Sequence, residues 1–299
     1  MPYTVKRYEE LFIDQQLSLD DYLESLRDKD ILKYHTQFIK SGSMLEIMVY
    51  PVWKTSKAKA EAAAPKPSRQ EQVNLNHANA QKRAVRLMNT NFTHKDVWAT
   101  FTYDDEHLPQ DDKEAQRNIQ NYIRRLRAYI QKNGLPELKY MYVTECRAED
   151  GEMGRVHHHI VMNFRDRDMA EAIWDKGGRK HTRRLQPDDY GLEGLARYIT
   201  KEKADTPSRK HSKKFATSQN LDKPAMAKQE NLIRKRKAAA IDLDRNSAQG
   251  IFEEIAKKTL KQGYTFLDME VKHSRYVSGV YLHVRMKEAP RAKKRGTRA

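Results

Sequence analysis

The stretch LKYMYVTECRAEDGEMGRVHHHIVMNF, residues 138–164, contains two runs that alternate as β-strands do, joined by a turn sequence. Successive side chains of a strand point to opposite faces of a sheet, so His157 and His159 project together while His158 points the other way. Two imidazoles on one face can chelate a single divalent ion. The same pattern also fits an exposed edge strand whose histidines are all solvated, and the pair alone does not decide between the two interpretations.

The neighbouring segments add one further strand and two helices. VWATFTY, residues 97–103, is rich in aromatic and β-branched residues and predicts a buried strand. DKEAQRNIQNYIRRLRAYIQKNG, residues 112–134, carries its apolar residues on one helical face, and LEGLARYITKEK, residues 192–203, predicts a second helix. The order β-α-β-β-α favours an α+β fold, with an antiparallel-rich central sheet and helices packed on one face.

The rest of the chain predicts extensions around this core. A helix is expected across residues 17–40 and a strand in MLEIMVYPVW, and a basic helix is expected to end before Thr93. The predicted divisions are a small α/β appendage (1–54), a linker (55–72), the core (73–205), a basic loop or helix region (206–240), a C-terminal helix and strand pair (241–287) and a disordered basic tail (288–299).

The charge of the chain indicates a polyanionic partner. It has 57 Lys and Arg against 41 Asp and Glu, a formal net charge of +16. The excess is clustered, with 12 basic against 4 acidic residues between 201 and 237. Lys and Arg gain affinity for phosphates by displacing counterions, so nucleic acid is favoured over a protein that is merely basic.

Other features of the composition narrow the class of protein. A single cysteine, Cys146, excludes an internal disulfide and a zinc site of the CxxC kind. No apolar run approaches the roughly 18 residues that a membrane span needs. We therefore expect a cytoplasmic protein with no membrane partner.

Residues on both sides of the histidines can complete a site. Glu145 ends the preceding strand, and in a hairpin it would lie beside the histidines and supply an oxygen ligand. A carboxylate with two imidazoles suits Mg²⁺ or Mn²⁺ with open positions for phosphate oxygens. Arg155 precedes the histidines and can meet a phosphate. A surface acid at the end of a strand is the other interpretation of Glu145.

Tyr198 is a candidate nucleophile. On a helix, Lys201 lies at i+3 from Tyr198, so hydroxyl and ammonium share a face. A nearby cation or metal stabilises a phenolate, which can attack a phosphodiester and form a covalent phosphotyrosine. Most of the 15 tyrosines are expected to serve packing. The position of Tyr198 after the histidine strand and beside the basic segment distinguishes it.

Three motifs, in this order, resemble those of the HUH endonucleases, in which U is a bulky hydrophobic residue. FTYDD (101–105) resembles the motif in which a core strand runs into a substrate-contacting loop. GRVHHHIVM (154–162) resembles the metal motif, and YITK (198–201) the nucleophile motif Tyr-x-x-Lys. FATSQNL (215–221) is also similar to segments of bacterial and phage members. The motifs span about a third of the chain, and His158 departs from them because its position is usually apolar or aromatic.

The resemblance points in particular to the single-tyrosine initiators of rolling-circle replication in plasmids and bacteriophages. It implies an RRM-like palm, with Tyr198 as the nucleophile and Lys201 contacting the scissile phosphate or the metal. It implies Mg²⁺ or Mn²⁺ held by His157, His159 and Glu145. The residues expected to contact DNA are Arg155, Thr102, Tyr103, Lys213 and Lys214.

The function implied is nicking of single-stranded DNA at an origin hairpin, followed by rejoining. A 5′-phosphotyrosine would form and the freed 3′-hydroxyl would prime a host DNA polymerase in the bacterial cytoplasm. A host helicase is a further expected partner, since no GxxxxGK[ST] sequence is present.

Two alternatives stay open, and the oligomeric state is not predicted. The protein could be a single-tyrosine transposase or a mobilisation relaxase. A third histidine in the metal motif, common in relaxases, is not seen, and long flanks are unusual for a transposase. From another class, it could be a non-catalytic DNA- or RNA-binding protein with structural histidines.

Overall fold

The structure is a computed structural model that describes residues 31–53, 69–146, 156–200, 215–274 and 278–290. The chain divides into two compact units, one of Met1–Asn76 with Pro224–Ala299 and the other of His77–Lys223. Within the described ranges, no helix is both long and apolar enough to span a bilayer.

The described strands form two antiparallel sheets of five strands each, accompanied by six helices. The strands are β1 (Ile31–Ser41), β2 (Met44–Trp53), β3 (Val97–Phe101), β4 (Tyr140–Cys146), β5 (Val156–Met162), β6 (Lys180–Arg184), β7 (Ala216–Thr217), β8 (Ala225–Glu230), β9 (Tyr264–Lys272) and β10 (Tyr281–Glu288). The helices are α1 (Arg69–Asn91), α2 (Asp112–Lys132), α3 (Arg167–Ala172), α4 (Glu193–Ile199), α5 (Lys235–Leu243) and α6 (Ala248–Leu260). The predicted α+β class, an antiparallel sheet with helices, is confirmed.

In the first unit, strands from both ends of the chain share one sheet, in the order β8-β1-β2-β10-β9. Helices α5 and α6 pack on one face of this sheet, where Ile241 and Phe252 join a core with Ile47 and Val284. The strand pair expected after the last helix is confirmed as β9 and β10. The predicted segments 1–54 and 241–287 therefore contribute strands to one sheet, because β2 pairs with β10.

The helix expected across residues 17–40 is wrong over its described part. Residues from Ile31 to Ser41 form strand β1, and the remainder of that prediction lies outside the described residues. β1 pairs with β2 on one side and β8 on the other, and its side chains are buried on both faces, including Phe38 and Ile39. Burial on both faces removes the alternation that identifies a strand, so the apolar residues mimic helical spacing.

In the second unit, the sheet has the order β6-β3-β5-β4-β7. The predicted strands of the core are confirmed as β3, β4 and β5, and the predicted helices as α1, α2 and α4. Strands β6 and β7 are not predicted by the sequence. β6 reads KHTRR and buries only Thr182, so it has neither the apolar content nor the alternation of a typical strand.

Helices lie against both faces of this second sheet, so the prediction that they pack on one face is wrong. On one face, Ile119 and Tyr122 of α2 pack with Ile160 of β5. On the other face, Met88 of α1 and Ile199 of α4 pack in one cluster with Val161 of β5. Because β5 is the central strand, its residues alternate between these two apolar layers.

The remaining predicted segments are described only in part. From residue 215 onward, the predicted basic region 206–240 contains β7, β8 and the start of α5, and all residues of β8 are exposed. Most of the linker 55–72 and of the tail 288–299 lies outside the described residues.

Candidate active site

Strand β5 places its three histidines on two faces, as its alternation predicts. His158 is fully buried on the α2 face, with Nε2 2.7 Å from the Tyr103 hydroxyl and Nδ1 2.9 Å from the Thr144 hydroxyl. Burial, together with the neighbouring His159 and His157, lowers the pKa of His158 to about 3. His158 is therefore a neutral core residue, which explains how it replaces the apolar residue expected there.

His157 and His159 lie on the opposite face, with ring centroids 6.5 Å apart. His159 is buried, and its Nδ1 lies 3.0 Å from the Thr100 hydroxyl on the adjacent strand β3. This contact orients the ring and leaves Nε2 toward Glu145. His157 is less buried than its neighbours in β5.

Glu145 joins the histidines through the register of the β4–β5 hairpin. It is paired directly with His157, so its side chain lies on the same face of the sheet. One carboxylate oxygen, Oε2, is 3.9 Å from Nε2 of His159, and the side chain is mostly buried. The arrangement predicted for these three residues is thus present, whereas their role as metal ligands stays a prediction.

The donor set fits a divalent ion in its chemistry, since two imidazoles and a carboxylate suit Mg²⁺ or Mn²⁺. Two ligands about 2.1 Å from an octahedral ion are about 3.0 Å apart when adjacent and about 4.2 Å when opposite. The 3.9 Å between Glu145 and His159 falls within that range. Among the described residues, however, no three such side chains converge closely enough to hold an ion.

Tyr198 faces the same site from helix α4. Ala196 and Ile199 anchor this helix in the apolar layer, and Tyr198 is left 53% exposed. No other tyrosine within the described ranges is exposed to that degree. Its ring lies 5.9 Å from the ring of His159 and 5.8 Å from that of Trp98. The structure therefore brings an accessible phenol to the histidine pair.

The other predicted site residues are placed less favourably or lie outside the description. Thr102 is half-buried, and its hydroxyl oxygen accepts a hydrogen bond of 2.6 Å from the backbone N–H of Arg179. Tyr103 is buried on the opposite side of the sheet, beside His158, so it lies away from the face that carries His157, His159 and Tyr198, and its contact with DNA stays a prediction. Outside the described residues lie Arg155, Lys201, Lys213 and Lys214.

Three residues of this face are not identified by sequence reasoning. Trp98 and Thr100 belong to a strand that was predicted, and alternation within β3 could have assigned both to one face. Arg183 lies on β6, directly opposite Trp98, and its guanidinium carbon is 3.9 Å from the centre of the indole ring. The polar sequence of β6 carries no signal for that position.

The fold and site together define an α+β protein in which an exposed tyrosine faces a strand-borne histidine pair. Residues 96–203 match the family model described as Replication-associated protein ORF2/G2P. This stretch includes β3, β4, β5 and α4, so it contains the whole candidate site. The match confirms the resemblance to a rolling-circle replication initiator family. The family associates this part of the chain with DNA replication. No curated protein and no solved structure matches the chain.

Proposed function

We propose that the protein initiates rolling-circle replication by nicking single-stranded DNA at an origin hairpin, with Tyr198 as the nucleophile. The observation that carries this proposal is the exposed phenol of Tyr198 beside His159, within the residues that match a replication-associated family. The net charge of +16 supports a nucleic-acid substrate. The family match supports replication over transposition or plasmid mobilisation.

The proposed chemistry is a transesterification. The Tyr198 oxygen attacks the scissile phosphorus in line, a bond forms between them, and the bond from phosphorus to the 3′-oxygen breaks. The phenolic proton passes to solvent, and the departing 3′-oxygen takes up a proton. The products are a 5′-phosphotyrosine and a free 3′-hydroxyl, and attack of a 3′-hydroxyl on the phosphotyrosine later rejoins a strand.

His157, His159 and Glu145 would hold the divalent ion, which when bound supplies Lewis-acid stabilisation of charge on the phosphate oxygens. Thr100 keeps His159 oriented for this role. Lys201 is proposed to contact the scissile phosphate or the metal. The free 3′-hydroxyl makes a host DNA polymerase the next partner, and unwinding of the duplex falls to a host helicase.

The test is a covalent adduct between protein and DNA. Wild-type protein, incubated with Mn²⁺ and a pool of single-stranded oligonucleotides, should give a slower band on a denaturing gel. Tyr198→Phe should give none, because only the attacking oxygen is removed and the ring contacts with Trp98 and His159 remain. The matched control, Tyr190→Phe, should form the adduct as wild type does.

Two results would contradict the proposal. An adduct formed by Tyr198→Phe would show that another residue is the nucleophile. Absence of any adduct with the wild-type protein across varied single strands, together with retained DNA binding, would indicate a non-catalytic binding protein.

A further inference from the structure

Arg183 holds an unusual position on the edge strand β6. Its guanidinium lies over the ring of Trp98, 3.9 Å from the ring centre, yet the residue is exposed. Direct pairing of Arg183 with Trp98 across β3 and β6 fixes this arrangement through the backbone. Stacking on an aromatic face holds the guanidinium in one orientation, so less entropy is lost when its N–H groups bind a ligand.

The donors of Arg183 have no acceptor within the described part of the chain. Two other arginines of this unit differ from it: Arg184 donates to the carbonyl of Lys95 at 2.7 Å, and Arg125 pairs with Asp175 at 2.6 Å. A guanidinium carries five N–H donors in a planar fork that matches the oxygens of a phosphate. Arg183 is therefore a preoriented cation whose donors are available to an anionic ligand.

Arg183 also lies on the same face of the sheet as the candidate nucleophile. The indole of Trp98 contacts Arg183 and lies 5.8 Å from the Tyr198 ring and 5.9 Å from that of His159. His181, two residues before Arg183 in β6, is also exposed and is paired with Thr100 of the same face. Arg183 thus adds positive charge to the site on the side away from Glu145.

We propose that Arg183 binds one phosphodiester of the single-stranded DNA, the neighbour, along the same strand, of the phosphodiester that Tyr198 attacks. Trp98 positions the guanidinium of Arg183 for this contact. The inference rests on the proposed function and adds a subsite to it. When Arg183 holds this neighbouring phosphate, the DNA strand is aligned so that the next phosphate along it lies at Tyr198.

The test measures DNA binding without chemistry, in EDTA, with a fluorescent oligothymidylate at several salt concentrations. Arg183→Gln should weaken binding roughly tenfold, as expected for loss of a charged hydrogen-bond pair. Affinity falls as salt rises, and the slope of log affinity against log salt should become shallower by about 0.7, the value for one phosphate contact to a single strand. Arg183→Lys should keep the slope and recover only part of the affinity, since it keeps the charge and loses the fork.

Arg184→Gln is the matched control, because it removes the same charge from the next residue of β6, on the opposite face of the sheet. Its salt slope should equal that of wild type. Equal losses for the two variants would mean that only the overall charge matters and would overturn the inference. An unchanged slope for Arg183→Gln would overturn it as well. Should Arg183→Gln not fold, the Arg183→Lys result decides, and full affinity in that variant would count against the subsite.

The adduct assay separates this inference from the proposed function. If wild-type protein forms the Tyr198 adduct while Arg183→Gln binds DNA with the wild-type slope, the subsite is wrong and the nicking function stands. If the salt slope of Arg183→Gln is shallower than that of wild type but wild-type protein forms no Tyr198 adduct, the phosphate contact of Arg183 stands and the nicking function is wrong.

Discussion

The imidazole of His159 lies 5.9 Å from the phenol ring of Tyr198, with the two rings at 72° to each other. His159 is held in the central strand β5, which is hydrogen-bonded on both sides, by β3 and β4. Tyr198 is presented by a short helix whose apolar residues are buried against the same sheet. A rigid strand and an anchored helix therefore fix the distance between the candidate ligand and the candidate nucleophile.

Replacing both candidate ligand histidines should abolish cleavage while leaving DNA binding largely intact. In His157→Ala with His159→Ala, the donor set is reduced to Glu145, which cannot hold Mg²⁺ or Mn²⁺ by itself at the site. Adduct yield should fall at least about a hundredfold, as expected when Lewis-acid stabilisation of the phosphate is lost. Titration of adduct yield with Mn²⁺ measures the effect, and His94→Ala, at an exposed turn, is the control. Undiminished adduct formation in the double variant would contradict the metal assignment.

Two threonines that contact neighbouring histidines of β5 should behave differently. Thr100→Val removes the hydroxyl 3.0 Å from His159, so the ring loses its orienting contact and the Mn²⁺ concentration for half-maximal activity should rise about tenfold. Thr144→Val removes the equivalent contact of His158, on the other face, and should lower stability without raising the Mn²⁺ requirement. Equal Mn²⁺ requirements for the two variants would contradict an orienting role for Thr100.

Two glycines with the same backbone conformation should differ sharply in their tolerance of alanine. Gly178 has φ of +62°, and an added Cβ would lie 2.6 Å from the backbone of Thr102 and Tyr103. Gly134 also has φ of +62°, but no atom lies within 4 Å of an added Cβ. Gly134→Ala should cost about 1 kcal/mol for the left-handed conformation, and Gly178→Ala about 3 kcal/mol or more because backbone must move. Urea denaturation measures both, and similar losses would show that the approach of Gly178 to the 102–103 segment is not tight.

Tyr34 should contribute to the alkaline limit of stability. Burial raises the pKa of Tyr34 to about 12, while its hydroxyl oxygen accepts a 3.1 Å hydrogen bond from the backbone N–H of Val280. The folded state favours the neutral phenol, so this contribution is complete below pH 10 and declines between pH 10 and about 12, by at most about 1.4 kcal/mol per pH unit.

The variant Tyr34→Phe isolates that contribution. At neutral pH it should be less stable than wild type by about 1–3 kcal/mol, because the buried N–H of Val280 loses its acceptor. The difference should narrow as the pH rises above 10, since only the wild type is destabilised by ionisation of this group. A difference that stays constant up to pH 12, measured by urea denaturation, would show that Tyr34 ionises as readily in the folded state as in the unfolded one.

The parts of the site that depend on one segment of chain are predictable from the sequence. Alternation within β5 assigns His158 to the face opposite His157 and His159, because side-chain direction in a strand is a local property. The helix bearing Tyr198 follows from its own apolar spacing. The turn in the hairpin indicates that Glu145 comes near the histidines, and its pairing with His157 bears out that geometry.

Contacts between distant segments are not predictable in this way. Nothing in the sequence KHTRR indicates that Arg183 stacks on Trp98, since that contact depends on β6 joining the edge of the sheet beside β3. Strand β1 is mistaken for a helix for a related reason. The burial of Phe38 depends on Phe252 and Val284, which come from a remote part of the chain and join the same core cluster.

The sequence by itself determined strands β3, β4 and β5 and helices α1, α2 and α4, the separation of His158 from the histidine pair, and the basic character that indicates a polyanionic partner. Only the tertiary structure decided that Tyr198 is exposed and meets His159, that Arg183 faces the same site, and that β1, β2, β8, β9 and β10 share one sheet. The physical reason is that periodicity records which side of an element is buried, whereas strand order and helix docking depend on apolar surfaces far apart in the chain.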